Sequence, residues 1–444
     1  MELTIDKVIK GGLGLGRTAE GQVVMVGRAL PGETVRVAVR RKHRGYLEAD
    51  LVEVLTPSSQ RVTPPCPVYE ECGGCDLQHA SYPEQLRIKN SILAETLGRA
   101  GLCKESGVEA ILAEPLASPR TMGYRQRLRL QVVDGRMGFF SRRSHDLVAV
   151  RHCPLAGERP NQVLAALADH QSTHGLLAEA TALELLDDPG LERLVLLVHA
   201  KSGVRKAARR AAVTLCQEIP LITTVCFARQ GRTELACVAD TEDDWTDTPW
   251  LSFPLPPELC GRPLALGLEA GSFCQVNPGQ NENCIRLLLE IAKNEPVGQA
   301  LDLFCGMGNF SLPLAAAGWR VTGMDVQRSA ITSAIRNAEA NGLDDCCRFD
   351  AASAKAATHR LVGEGQRFDL ILLDPPRSGC AELIPLLPDL GARRIVAISC
   401  DPATLARDLA GLVSHGYRIE AARMVDMFPQ TSHLESMVSL VREE

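Results

Sequence analysis

Cys400 stands in Ile398-Ser399-Cys400-Asp401-Pro402-Ala403-Thr404, after a strand-like apolar run and before a helix-like one. Pro402 suits the first turn of a helix. Cys400 is therefore expected just ahead of a helix N-terminus, where partial positive charge favours a thiolate. A thiolate can add to an electron-poor carbon and divide one difficult substitution into two easier steps. Free cysteine is also commonly a small buried hydrophobe, but a place at a strand end favours the reactive reading. The carboxylate next door disfavours a thiolate. Asp401 is expected either to cap the helix and point away or to raise the pKa of Cys400. Cys305 is a rival nucleophile, although its position inside a glycine loop argues for packing.

That loop reads Leu301-Asp302-Leu303-Phe304-Cys305-Gly306-Met307-Gly308-Asn309-Phe310. Glycines at alternate positions between a strand and a helix let the backbone turn tightly and approach a ligand. Asp325 ends the next strand-like run, seventeen residues past Gly308, where a carboxylate can accept hydrogen bonds from ribose hydroxyls. The third glycine of a dinucleotide fingerprint is missing, because position 311 is Ser. The loop suits a nucleoside cofactor without pyrophosphate, which points to S-adenosylmethionine rather than NAD. Asp374, in Leu373-Asp374-Pro375-Pro376-Arg377, should face the same end of the sheet. An aromatic after Asp-Pro-Pro would suggest methylation of an exocyclic amine; Arg377 takes that place and weakens that reading.

Sixteen cysteines are many for a chain expected in a reducing compartment, so metal binding is a better reading than a disulfide framework. Cys66, Cys72 and Cys75 lie within ten residues around Gly73-Gly74, and Cys153 is the natural fourth ligand. By spacing alone, structural zinc and a four-iron cluster both fit.

The elements that must position these groups fall into three parts, as 444 residues suggest. Residues 1–56 alternate apolar and polar positions between turns at Gly11-Gly12 and Pro31-Gly32, the pattern of a small OB-like β-barrel. Residues 57–265 read as α+β, with a helix at Pro83–Arg99 and strands such as Arg193–His199. From 266 to 444, strand-like and helical runs alternate, which argues a doubly wound, mostly parallel α/β sheet. No run is long enough to span a bilayer, and Met1–Asp6 does not resemble a secretory leader. A soluble cytoplasmic protein is expected. Net charge is −6, yet Arg120–His152 carries eight Arg against two Asp, and Arg36–Arg44 five basic residues with no acid. A local polyanion-binding face and an ordinary solvated surface explain that pattern equally well.

Two further segments, Gly271-Ser272-Phe273-Cys274-Gln275-Val276-Asn277 and Asp426-Met427-Phe428-Pro429-Gln430-Thr431-Ser432-His433-Leu434-Glu435, complete a resemblance. Together with the Cys400 motif they are similar to the S-adenosylmethionine-dependent RNA (uracil-5-)-methyltransferases. Gly12-Leu13-Gly14-Leu15-Gly16-Arg17 resembles that family's TRAM domain, and the Cys66, Cys72, Cys75 spacing its iron–sulfur motif. The combination is most similar to the bacterial 23S ribosomal RNA branch. The resemblance implies a TRAM barrel over 1–56 that binds RNA and a central domain over 57–265 with a [4Fe–4S] cluster on Cys66, Cys72, Cys75 and Cys153. It also implies a Rossmann-like class I methyltransferase domain over 266–444. Cys400 is then the nucleophile and Glu435 the base, with Gln275, Phe304, Gly306, Gly308, Asn309, Asp325, Asp350 and Asp374 at the cofactor. The implied partner is 23S rRNA, with the target uridine flipped out of a single-stranded or looped segment, bound by a monomer.

The chemistry requires those residue types. C5 of uracil is too weak a nucleophile to take a sulfonium methyl unaided. Thiolate addition at C6 makes C5 nucleophilic, donors such as Gln275 stabilise the developing enolate, and a carboxylate must then remove the C5 proton. The family usually has Asn where this chain has Asp401. Competing readings are the same chemistry on a tRNA uridine, a cytosine-C5 enzyme and an iron–sulfur RNA-binding factor without catalysis. The Ser399-Cys400 context and the intact cofactor loop stand against the last two.

Overall fold

The computed structural model describes residues 1–102, 107–201, 203–229, 235–239, 241 and 245–443. Strands β1 (Glu2–Ile9), β2 (Leu13–Arg17), β3 (Val23–Gly27), β4 (Thr34–Lys42) and β5 (Tyr46–Thr56) close into a barrel in the order β1-β2-β3-β5-β4. Alternation places Leu3, Ile5, Val24, Val26, Val35 and Val37 inside. Gly16 permits the tight crossing of β1 and β2: a Cβ there would stand 2.4 Å from the Thr4 carbonyl oxygen.

Helix α1 (Tyr82–Arg99) and strand β6 (Leu112–Leu116) follow. The sequence boundary at 57 grouped both with the central segment, but they pack elsewhere. Ile88, Ile92, Leu93 and Leu97 form an apolar stripe that joins Leu405, Leu409 and Ala422 of the C-terminal region in one core. β6 becomes the edge strand of the C-terminal sheet. An amphipathic helix settles where its stripe is covered, and that partner lies some three hundred residues downstream.

The central sheet comprises β7 (Arg127–Val133), β8 (Arg136–Phe140), β9 (Leu147–Ala149), β10 (Ala180–Asp188), β11 (Arg193–Ala200), β12 (Ile222–Arg229) and β13 (Ala236–Val238), ordered β13-β12-β11-β10-β7-β8-β9. Helices α2 (Glu158–Asp169), α3 (Thr173–Leu177) and α4 (Lys206–Glu218) cover one face. The apolar run in β11 is explained by burial on both sides. Leu194, Leu196 and Val198 join the core that includes α2 and α4, and Val195 and Leu197 join the core of the C-terminal domain.

The hairpin β14 (Trp250–Leu255) and β15 (Leu264–Glu269), which flanks the short α5 (Pro257–Cys260), leads into α6 (Pro278–Ala292). Strand and helix then alternate: β16 (Gln299–Leu303), α7 (Ser311–Ala316), β17 (Arg320–Asp325), α8 (Arg328–Ala340), β18 (Cys347–Ala351), α9 (Ala354–Gly363), β19 (Leu370–Leu373), β20 (Arg394–Ser399), α10 (Pro402–Ser414), β21 (Tyr417–Val425) and β22 (Glu435–Arg442). The sheet order is β18-β17-β16-β19-β20-β22-β21-β6, with β16 to β20 parallel and β22 antiparallel. This is the α/β, doubly wound class I methyltransferase arrangement. Among the described residues, no helix is long and apolar enough to cross a membrane.

Candidate active site

Strand pairing brings Cys400 and Glu435 together. In the antiparallel β20–β22 ladder Ser399 lies opposite Ser436, and Ser436 Oγ donates to the Ser399 carbonyl at 3.2 Å. One step further, Cys400 leaves β20 as Glu435 enters β22, both on the edge where the parallel strands end. Burial pushes the Cys400 thiol up, Glu435 adds to the rise, and the charge and hydrogen bond of Arg377 oppose it. Glu435 is pushed up to about 8, mainly by burial and then by Asp374, again opposed by Arg377. Burial raises Asp374 to about 6. Arg377, which in the sequence served only to weaken the amine-methylation reading, is thus the cation that favours ionisation of both Cys400 and Glu435.

Asp401 takes the capping alternative. Its Oδ1 accepts from the N–H groups of Ala403 at 2.9 Å and Thr404 at 3.1 Å, while its Oδ2 pairs with Lys10 of the barrel. Partial burial works against its ionisation, yet Lys10 and the two N–H donors hold the carboxyl below its usual range. Cys305 is 4 % exposed, and a Cβ on Gly323 of β17 would stand 3.0 Å from its Sγ. Burial and the carboxylates of Asp302 and Asp325 push its thiol well up, so it packs beneath the loop.

The loop after β16 is shaped by its neighbours. Phe304 adopts φ +71°, the left-handed region, as do Gly306 and Gly308; for a bulky residue this is strain of the kind concentrated at ligand sites. Asp325 Oδ2 accepts from Gly306 N–H at 3.0 Å, which ties the loop to the end of β17. Ser311, at the missing third glycine, donates to buried Asp302 at 2.5 Å. Asn309 and Asn281 exchange two amide hydrogen bonds of 2.8 and 2.9 Å. Asp350 lies near the end of the neighbouring strand β18 and accepts from Arg360 at 2.5 Å. Gln275 sits in the loop before α6, where its carbonyl accepts from Gln126 Nε2 at 2.7 Å. It lines a cleft of about 770 Å³ that also includes Asn281 and Met307.

Cys66, Cys72, Cys75 and Cys153 line one cavity of about 350 Å³, together with Tyr69, Arg125 and His152. Burial raises Cys72 and Cys153 and pushes Cys75 up to about 12, and neighbouring cysteines add to each. Among the described residues, no three His, Cys, Asp or Glu side chains gather closely enough to share a single metal ion.

The basic segment is largely neutralised at short range. Arg127 and Arg129 pair with Glu184, Arg142 with Asp76, Arg143 with Asp50 and Arg151 with Asp169. Arg36 is likewise held by Glu2 and Glu53. Sequence reasoning also missed Lys10, Asp76 and Lys89, which reach Asp401, Ser432 and Asp426 across more than three hundred positions and leave no local signal.

Comparison with known proteins follows the same outline. A family described as tRNA (Uracil-5-)-methyltransferase matches residues 257–443, and the TRAM domain matches residues 1–52. A 23S rRNA (uracil(1939)-C(5))-methyltransferase RlmD of Alkalilimnicola ehrlichii is 34% identical over 100% of this chain and 96% of its own length. The protein of that name from Halomonas elongata is 34% identical over 99% of this chain and 89% of its own. Among solved structures, Pyrococcus abyssi tRNA (uracil-54, C5)-methyltransferase in complex with S-adenosyl-L-homocysteine superposes with a TM-score of 0.75. It is 23% identical, with 99% of this chain and 100% of that one covered, and it shows a shared fold. With full-length relatives above 30% identity, the chain belongs to the S-adenosylmethionine-dependent RNA (uracil-5-)-methyltransferase family.

Proposed function

We propose that the chain transfers a methyl group from S-adenosylmethionine to C5 of a uridine in 23S rRNA, with Cys400 as nucleophile and Glu435 as base. The observation that carries the mechanism is the Ser399–Ser436 register, which sets a thiol and a carboxyl side by side at the cofactor edge of the sheet. The full-length relatives named for 23S rRNA support that substrate over tRNA.

Bound S-adenosylmethionine supplies the methyl group. Phe304, Gly306, Gly308 and Asn309 shape its loop, Asp325, Asp350 and Asp374 stand at the ends of β17, β18 and β19 on either side of it, and Gln275 lines the cleft that includes Met307 of the loop. The Cys400 thiolate adds to C6 of a flipped-out uracil, and the displaced electrons make C5 the nucleophile that accepts the methyl. Arg377 favours the thiolate by charge, and Gln275 can donate to the developing enolate oxygen. Glu435 then takes the C5 proton, the ring double bond re-forms and the C6–S bond breaks.

Cys66, Cys72, Cys75 and Cys153 fit a [4Fe–4S] group. All four cysteines line one cavity, four thiolates are the donor set such a cluster takes, and their spacing resembles the family's iron–sulfur motif. With all four positions supplied by protein, the group would serve to hold the segment together, and the barrel over 1–56 would bind RNA beside it.

The test is methylation of unmodified 23S rRNA and tRNA transcripts with labelled cofactor, followed by mapping of 5-methyluridine. Product confined to one 23S uridine is expected. Product on tRNA alone would overturn the substrate, and a methylated cytosine would overturn the base.

A further inference from the structure

The segment Asp426–Leu434, which delivers Glu435 to the site, belongs to no strand and is held by side chains from distant parts of the chain. Lys89 of α1 pairs with Asp426 at 2.6 Å and donates to the Phe428 carbonyl at 2.9 Å. Gln85 and Gln430 join through two hydrogen bonds of 2.9 Å. Tyr124 donates its hydroxyl to the Pro429 carbonyl at 3.0 Å, and Asn277 Nδ2 donates to that of Met427 at 3.1 Å.

The side-chain attachment nearest to Glu435 comes from Asp76, the residue after Cys75. The backbone N–H groups of Asp76 and Leu77 both donate to the Gln430 carbonyl, at 3.1 and 3.0 Å. Asp76 Oδ2 accepts from Ser432 N at 3.2 Å and Ser432 Oγ at 2.8 Å. Gln430 itself is held at φ +70°, a conformation that persists in a non-glycine residue only where surrounding contacts enforce it. Behind Asp76, Arg142 Nη1 donates to Oδ1 at 3.1 Å while its Nη2 donates to the Cys75 carbonyl at 2.5 Å. The barrel closes the junction, since a Cβ on Gly12 would stand 2.8 Å from Asp76 Cβ and 3.2 Å from Ser432 Cβ.

We propose that Asp76, through Ser432 and Gln430, is the positioning residue for the base Glu435, so that the cysteine-bearing segment acts on proton removal at C5. The proposal rests on the reading of Glu435 as the base. Among the described residues, Ser432 is the last before β22 held by a distant side chain: exposed His433 donates its N–H only locally, to Thr431 Oγ1 at 3.3 Å, and buried Leu434 stands between it and Glu435. A general base must lie within hydrogen-bond reach of its proton, and a displacement of about 1 Å costs on the order of a hundredfold in rate.

The experiment compares Ser432→Ala, Asp76→Asn and Glu435→Gln on RNA carrying uridine or 5-fluorouridine at the target. Trapping by 5-fluorouridine needs thiolate addition and methyl transfer but not the base. Ser432→Ala and Asp76→Asn should therefore trap the fluorinated RNA at wild-type levels. On uridine they should turn over roughly ten- to a hundredfold more slowly, with methylated RNA accumulating covalently on the protein. Iron content measured in Ser432→Ala, which leaves the cysteine segment unchanged, should equal that of wild type, so that its defect is separated from loss of metal. Normal turnover without adduct, or equal loss of trapping and turnover, would overturn the proposal. Full turnover without adduct by Glu435→Gln would instead remove the reading of Glu435 as base, and the proposal with it.

Discussion

Lys10 of the N-terminal barrel forms an ion pair with Asp401, the residue next to Cys400, across 391 positions of sequence. The same carboxylate caps α10 through Ala403 and Thr404, so the acid that departs from the family's usual Asn is occupied away from the thiol. Asp401→Ala should cost about 0.5–2 kcal/mol of stability through the lost cap, and Asp401→Asn a few tenths, since Asn caps nearly as well. Lys10→Ala should cost under about 1 kcal/mol, as exposed pairs do. Urea unfolding of the three variants checks the ranking; a larger loss for Lys10→Ala than for Asp401→Ala would contradict it.

Cys400→Ala should abolish covalent capture of 5-fluorouridine RNA while S-adenosylmethionine still binds. Cys305→Ala should keep the capture, because the Cys305 side chain is buried beneath the loop that follows β16, where burial pushes its thiol well up. Denaturing gels of protein mixed with labelled RNA give the answer. A complex that persists in Cys400→Ala and vanishes in Cys305→Ala would reverse the assignment.

The pH dependence follows from the signs of the shifts. As the proposed base, Glu435 must be ionised to take a proton, and burial pushes its carboxyl up to about 8, above the usual carboxylate range. Single-turnover proton release should therefore rise between pH 6 and 9, where an unperturbed carboxylate would already be fully ionised. Arg377 lowers both the Glu435 carboxyl and the Cys400 thiol. Arg377→Met should move the profile to higher pH and reduce the rate at pH 7 roughly tenfold or more. An unmoved profile would show that Arg377 does not act on these groups.

Lys89 and Asp426 are both fully buried. Removing one member of such a pair leaves a charge without compensation, which costs about 3–5 kcal/mol. Lys89→Met should unfold at markedly lower urea concentration, and Lys89→Met/Asp426→Asn should recover much of the loss. If the double variant is no more stable than the single one, the pair is not the source of the effect.

Protein prepared without air should be brown and carry about four irons per chain, while Cys75→Ser should lose both colour and iron. RNA affinity should fall more than S-adenosylmethionine affinity, since the cofactor loop follows β16 in a separate part of the fold. Metal analysis with paired binding titrations tests both statements. Zinc as the only metal would refute the cluster, and equal loss of both affinities would refute the division.

Features that depend on short-range pattern are legible in the residues alone. The strand–helix alternation from 299 onward, the turn at Gly306 and Gly308, and the place of Cys400 between β20 and α10 are all legible, because strand and helix periods and turn residues act over a few positions. The sequence also held the family resemblance, which pointed to Glu435. What meets what emerges once the chain is folded. The adjacency of Cys400 and Glu435 comes from the β20–β22 register, and a shift of one residue would have turned every side chain of β22 to the opposite face. The fate of Asp401 depended on Lys10, the place of α1 on an apolar partner in α10, and the net charge of the arginine-rich segment on acids such as Glu184 and Asp169. Such pairings are set by packing across hundreds of residues, and no local spacing encodes them.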